Sequence, residues 1–312
     1  MKRFVLKLLV ILLPYAVLFV SAEYLLRQIP NDYSYKKSYL DKHSNEIQIL
    51  IFGASNTYSG INPDYFSQKA FNASQVSQSL NFDFEILKKY QNHLNELKVI
   101  VLSISFSTFW ERLENSVESW RVTKYTLYYK IHSNSLTNHS ELLSNAYWTN
   151  KNRLMKYYLK RENNITCNSL GWGTGFKTEN ERYVDETIHI INQRRTVDDL
   201  YAEKNTDIFE KNLKVLHSFV EFCEQNDVLL IFLTTPYYRP FLEKLNTEQI
   251  HKVTETMNNF VKEQSNCYYI NWSDHEDFVA EDFYDADHLN TTGAEKLSKK
   301  LSCYIESSGM MK

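Results

Sequence analysis

The sequence predicts an α/β fold: a three-layer sandwich with a central parallel sheet, a helical insertion and an N-terminal transmembrane helix. Three observations carry this. Short apolar runs rich in β-branched residues recur at 47–52, 98–105 and 228–235, as strands buried on both faces require. Amphipathic stretches of helical period lie between such runs, and strand, helix, strand alternation selects a parallel sheet with helices on both faces. Residues 8–26, behind Lys2, Arg3 and Lys7, are apolar all round with Glu23 as their only carboxylate.

That N-terminal run is about long enough to cross a bilayer. Basic residues ahead of it predict that the N-terminus stays in the cytoplasm and the remainder is translocated. Val20-Ser21-Ala22 also reads as a small-residue cleavage site. Apolar character resumes at Tyr24, Leu25 and Leu26, which favours an uncleaved signal anchor over residues 1–27. Residues 28–46, polar and tyrosine-bearing after Pro30, read as a tether, and 47–312 as one domain with an insertion at about 110–207.

Within that domain the first strand ends at Gly53, where the backbone must turn, and Ser55 sits on the turn. A serine at the carboxyl end of a strand can point its hydroxyl into the crevice where such sheets bind ligands; capping the next helix is its structural alternative. A short helix over 63–70, a strand-like piece at 70–72, a helix at 84–90 and the strand at 98–105 follow. Residues 110–207, rich in Tyr, Asn, Ser and Lys, predict a largely helical insertion that covers or shapes the crevice. Its Gly171-Trp172-Gly173-Thr174-Gly175 lacks the flanking strand and helix of a dinucleotide loop and reads as an ordinary turn. A helix at 207–225 leads to the strand at 228–235, closed by Pro236. Arg239, beyond that strand, could contact an anionic substrate group, with a solvated arginine as the plainer reading. A helix at 248–263, a last strand at 267–272 and a helix starting near Thr292 complete the chain.

Asp285 and His288 precede that final helix. A serine hydroxyl is a poor nucleophile until a base takes its proton, and a histidine base needs a carboxylate to fix its tautomer. Asp285, His288 and Ser55 supply those three parts. His275, with Asp274 adjacent rather than three residues before it, is the weaker competitor. The G-x-S turn after the first strand, together with D-x-x-H near the C-terminus, resembles the SGNH/GDSL hydrolase family over most of the chain beyond the anchor.

The resemblance implies an SGNH-like (flavodoxin-like) domain in which Ser55 is the nucleophile, His288 the base and Asp285 its orienting partner, with no cofactor. In the family a second motif normally offers a glycine N–H to the oxyanion, and Ser74 stands nearest that position. A third motif, G-x-N-D, is replaced by Ser103-Ile104-Ser105-Phe106-Ser107, which leaves Ser105 as the substitute donor. A signal anchor ahead of such a domain is similar to proteins that transfer acyl groups onto envelope polymers alongside a membrane-bound acyltransferase. The implied activity is therefore an extracytoplasmic serine esterase or O-acyltransferase on acylated cell-envelope or exopolysaccharide sugars. The missing asparagine motivates the alternative, an inactive module of the same fold that binds glycan or recruits a partner.

Composition excludes other classes. A net charge of −3 and a pI near 6.3 give no basic footprint for nucleic acid. Cys167, Cys223, Cys267 and Cys303 form no C-x-x-C pair, and the acidic run 274–287 lacks the EF-hand pattern, so no metal site is predicted. The 22 tyrosines and 18 phenylalanines suit core packing better than a carbohydrate groove.

Overall fold

The computed structural model describes residues 1–177 and 184–307. In chain order its elements are α1 (Lys2–Arg27), α2 (Asp32–His43), β1 (Ile49–Phe52), α3 (Ser55–Gly60), β2 (Ala70–Asn72), α4 (Leu80–Tyr90) and β3 (Val99–Ser103). Then come α5 (Val122–Lys124), α6 (Glu141–Ser144), α7 (Tyr147–Leu154), α8 (Val184–Arg195), α9 (Glu203–Gln225) and β4 (Leu229–Thr234). The last are α10 (Arg239–Leu242), α11 (Thr247–Lys262), β5 (Cys267–Asn271) and α12 (Thr291–Ser307). Helices α5 and α7 run on into π-helical turns at Tyr125–Tyr129 and Met155–Leu159.

The five strands form one parallel sheet in the order β2-β1-β3-β4-β5. Alternation of side chains explains why the central strands are apolar throughout. Ile49, Ile51, Val99, Val101, Ile231 and Leu233 pack on one face with Leu297, Leu301 and Ile305 of α12. On the other, Phe52 meets Phe219 of α9 at 5.9 Å and Phe232 meets Phe260 of α11 at 5.7 Å. Each such side chain contributes about 1.5–3 kcal/mol when fully buried, so the sheet is a rigid platform. The order reverses between β1 and β3, and ligands of open α/β sheets bind at that reversal, outside the carboxyl ends of the strands.

Two compact units are present. Tyr39–Ser116 and Thr166–Lys312 hold the sheet; Met1–Ser38 and Val117–Ile165 make the other. The insertion expected over about 110–207 is thus divided, its first half going with the N-terminus and its second with the sheet. The glycine cluster serves the sheet unit. Asn72 N–H at the β2 edge donates to Leu170 O, and Gly173 N–H donates to Tyr58 O of α3. A Cβ on Gly173 would lie 2.2 Å from the Tyr58 ring, so only glycine passes there.

The expected tether is helix α2 over much of its length, with Asp32–Ser38 in the N-terminal unit and Tyr39–His43 in the sheet unit. Lys36 and Leu40 are buried in it, and polar composition conceals such positions. Helix α1 is long and apolar enough to cross a membrane. Its Glu23 accepts the Glu141 and Leu142 N–H groups and the Ser140 hydroxyl, so the lone carboxylate of the apolar run caps α6. Arg27 pairs with Glu23 and donates to His139 O.

Candidate active site

Gly53 closes β1 at φ +134°, a conformation that L side chains rarely adopt. A Cβ there would also lie 2.5 Å from Ser103 Cβ on the neighbouring strand. Its N–H donates to Asp83 Oδ1 at 3.0 Å, and burial pushes that carboxyl up to about 7. The turn delivers Ser55 as the first residue of α3, at the reversal point of the sheet. Opening a helix, Ser55 and its next neighbours have no carbonyl one turn back to receive their N–H groups within the helix.

The opposite wall is the loop before α12. Asp285 Oδ1 accepts the Asp287 N–H at 3.1 Å and the His288 N–H at 2.9 Å, which makes the D-x-x-H segment a closed side-chain turn. The same carboxylate takes His288 Nδ1 at 2.8 Å and 3.0 Å. A Nδ1–H donor leaves Nε2 as the acceptor of the neutral ring, and Nε2 stands 2.7 Å from Ser55 Oγ. Asn56, the residue after the serine, donates Nδ2 to Asp287 O at 2.7 Å and ties α3 to this loop. Phe176 lies against the imidazole with ring centres 5.0 Å apart. Ser55, His288 and Asp285 are therefore brought together across more than two hundred residues of chain.

A second carboxylate, which motif reading missed, flanks the imidazole. Asp287 Oδ1 lies 2.8 Å from His288 Nδ1, but its angle forms no hydrogen bond, and that oxygen has no other partner among the described residues. The contact is electrostatic, and Asp285 is the carboxylate that accepts the Nδ1–H hydrogen bond. Asp287 Oδ2 is held at 2.8 Å by Arg195 of α8, whose Nη1 reaches Glu111 at 3.1 Å. Glu111 in turn accepts the Ser107 hydroxyl. Burial disfavours the His288 imidazolium, yet Asp287 and Asp285 overcome it and hold its pKa above the ordinary histidine range. Burial would raise Asp287, but His288 and Arg195 keep it well below the usual carboxylate range.

The remaining predicted residues fare differently. Ser74 donates its N–H to Asn72 Oδ1 at 3.0 Å, because an asparagine two residues earlier closes a local turn; that N–H is spent within the loop. Asn72 Nδ2 meanwhile holds two carbonyls of the α3 segment, Thr57 O and Ile61 O, each at 2.8 Å. Ser105 lines a small cavity with Gly53, Ala54 and Gln78, and its hydroxyl is engaged by Thr108 at 2.9 Å and Ser107 at 3.2 Å. Arg239 is largely exposed and faces Glu243 and Asp274, outside the Ser55 cluster. Arg195, half-buried, is the arginine of the site; nothing in its neighbourhood of sequence marks it.

Asp285, Asp287 and His288 are also the group among the described residues whose ligand atoms, within 4.8 Å of one another, could hold a metal ion. Arg195 on Asp287 and Ser55 on His288 occupy two of its three members.

No family model matches the chain, and no curated protein matches it. Among solved structures, a Streptococcus pneumonia protein provisionally described as a platelet activating factor aligns over 95% of this chain and 98% of its own, at 12% identity and a TM-score of 0.43. A Bacteroides fragilis protein provisionally described as an acylhydrolase aligns over 90% of this chain and 100% of its own, at 9% identity and a TM-score of 0.42.

Proposed function

We propose that this chain is a membrane-anchored serine esterase or O-acyltransferase of SGNH type, acting outside the cytoplasm on acylated cell-envelope or exopolysaccharide sugars. The observation that carries the reading is the relay Ser55 Oγ, His288 Nε2, His288 Nδ1, Asp285, with 2.7 Å and 2.8 Å at its two joints. In the proposed reaction Ser55 Oγ attacks the acyl carbonyl while its proton passes to His288 Nε2. Collapse of the tetrahedral intermediate breaks the ester bond, and Nε2 returns the proton to the departing alcohol. Water then attacks the acyl-serine in an esterase, or a sugar hydroxyl in a transferase, with His288 taking the proton and returning it to Ser55 Oγ as the acyl–serine bond breaks. The oxyanion falls to N–H groups at the start of α3, since backbone donors serve as well as side chains. The apolar helix α1 supports the location, and a membrane-bound acyltransferase would be the natural source of acyl groups for transfer.

The engagement of the Ser74 N–H and the Ser105 hydroxyl favours one second reading, an inactive module that binds glycan or recruits a partner. Labelling of the full chain in detergent with a fluorophosphonate separates the two. The esterase or transferase reading expects wild type to label, Ser55→Ala not to label, and His288→Ala to label at least about a thousandfold more slowly. A folded wild-type chain that does not label supports the inactive module.

A further inference from the structure

Beside the outer end of α1, helix α7 and its π-helical continuation leave apolar side chains uncovered. Trp148 and Tyr147 are 66% and 70% exposed, Met155 41% and Leu159 74%. Trp148, Met155 and Leu159 are spaced so that they share one face of the helix. Lys151 stacks on the Trp148 ring at 5.0 Å, and Lys156, Lys160 and Arg161 follow, all exposed. Exposed tryptophan and tyrosine beside apolar residues and lysines is the composition of a segment seated in the headgroup region of a bilayer.

The height of this stripe is fixed from within its own unit. Tyr158 donates its hydroxyl to Leu25 O of α1 at 3.0 Å, and Glu23 of α1 caps α6, just before α7. About 20 helical residues cross the hydrocarbon core. Counted from the cytoplasmic cations Lys2, Arg3 and Lys7, they end between Glu23 and Arg27, where those bonds are made.

We propose that the face of α7 bearing Trp148, Met155 and Leu159 lies in the interfacial layer of the same bilayer that α1 crosses. The proposal rests on the anchor reading of α1. Apolar side chains enter the boundary of the acyl region, and Lys151, Lys156 and Lys160 meet anionic headgroups. The partner is the lipid surface, and the continuity of the stripe with the apolar outer turns of α1 selects it.

The test uses the full chain in phosphatidylcholine and phosphatidylglycerol vesicles carrying lipids brominated at shallow or deep acyl positions. Flotation in sodium carbonate reports insertion of α1, and tryptophan quenching reports the stripe. The expected result is flotation, quenching stronger from shallow than from deep bromine, and loss of that quenching component in Trp148→Phe. Flotation with quenching unchanged in Trp148→Phe overturns the placement of α7 alone. A chain that does not float overturns the anchor reading and the placement with it. A folded Met155→Glu/Leu159→Glu chain should float as wild type does, with Trp148 emission shifted to the red.

Discussion

The sheet unit and the unit around the anchor are held by opposite chemistry. In the first, five strands contribute side chains such as Ile49, Val101 and Phe232 that are wholly buried and need no partner of a particular type. In the second, Glu141 is completely buried between Lys124 and Arg153, with Tyr128 and Asn150 bonded around it. Burial pulls the Lys124 ammonium down to about 8 although Glu141 opposes the change. An apolar core tolerates imprecision, because its attraction is non-directional. A buried ion cluster does not, since a lost partner leaves a charge out of water with nothing to compensate it.

The largest expected effect tests that contrast directly. Glu141→Ala strands two cations and should cost about 3–5 kcal/mol, read as a fall in the melting temperature of the N-terminal unit. Just above that lowered transition, fluorophosphonate labelling at Ser55 should persist. Joint loss of both would mean that the sheet unit depends on the ion cluster.

A smaller effect is expected where polar chemistry enters the sheet unit. His288 is held above the ordinary histidine range by two carboxylates, so its neutral, basic form accumulates only as pH climbs past that range. The proposed activity should therefore rise with pH, with its acid limb above about 6.5. Arg195 partly cancels Asp287; removing its positive charge favours the imidazolium still more. Arg195→Gln should move the acid limb up by about one pH unit, with Arg195→Lys restoring part of the shift. An unmoved limb in a folded Arg195→Gln chain would show that Asp287 does not govern the base. The smallest effect is assigned to Arg239, whose ion pairs are exposed. Arg239→Ala should leave kcat/KM within about twofold, because exposed pairs are worth about 0–1 kcal/mol; a larger loss would restore it to the substrate path.

The same contrast governs what could be read from the chain. Apolar runs mark strands by composition alone, so the strand at Ala70–Asn72 was legible to the residue, and the others to within two residues at either end. Ser55, His288 and Asp285 were legible because short spacings encode the turns that carry them. Asp287 stood in plain view, but its role depends on Arg195, 92 residues away in the chain. The engagement of Ser74 turned on Asn72, two residues earlier, whose side chain could equally have faced outward. Residues 32–43 looked like a tether because Lys36 and Tyr33 are buried by contacts that no local pattern announces. Where attraction is non-directional the pattern suffices, and where it is directional the partner must be known.

The cap that Glu23 places on α6 gives the proposed anchor a mechanical meaning. Its apolar run, residues 8–26, is about 29 Å long at 1.5 Å per residue, matched to a hydrocarbon core of about 30 Å. If α1 crosses a bilayer as proposed, a thinner bilayer would tilt it, and Pro14 gives it a place to bend. Bonds from Glu23 and to Leu25 stiffen its outer turn into the surrounding unit, so tilt of the proposed anchor would become rotation of that unit instead of being lost in a swivel. On the proposed anchor reading, bilayer thickness would be a lever on this N-terminal unit, one that lipid composition can pull.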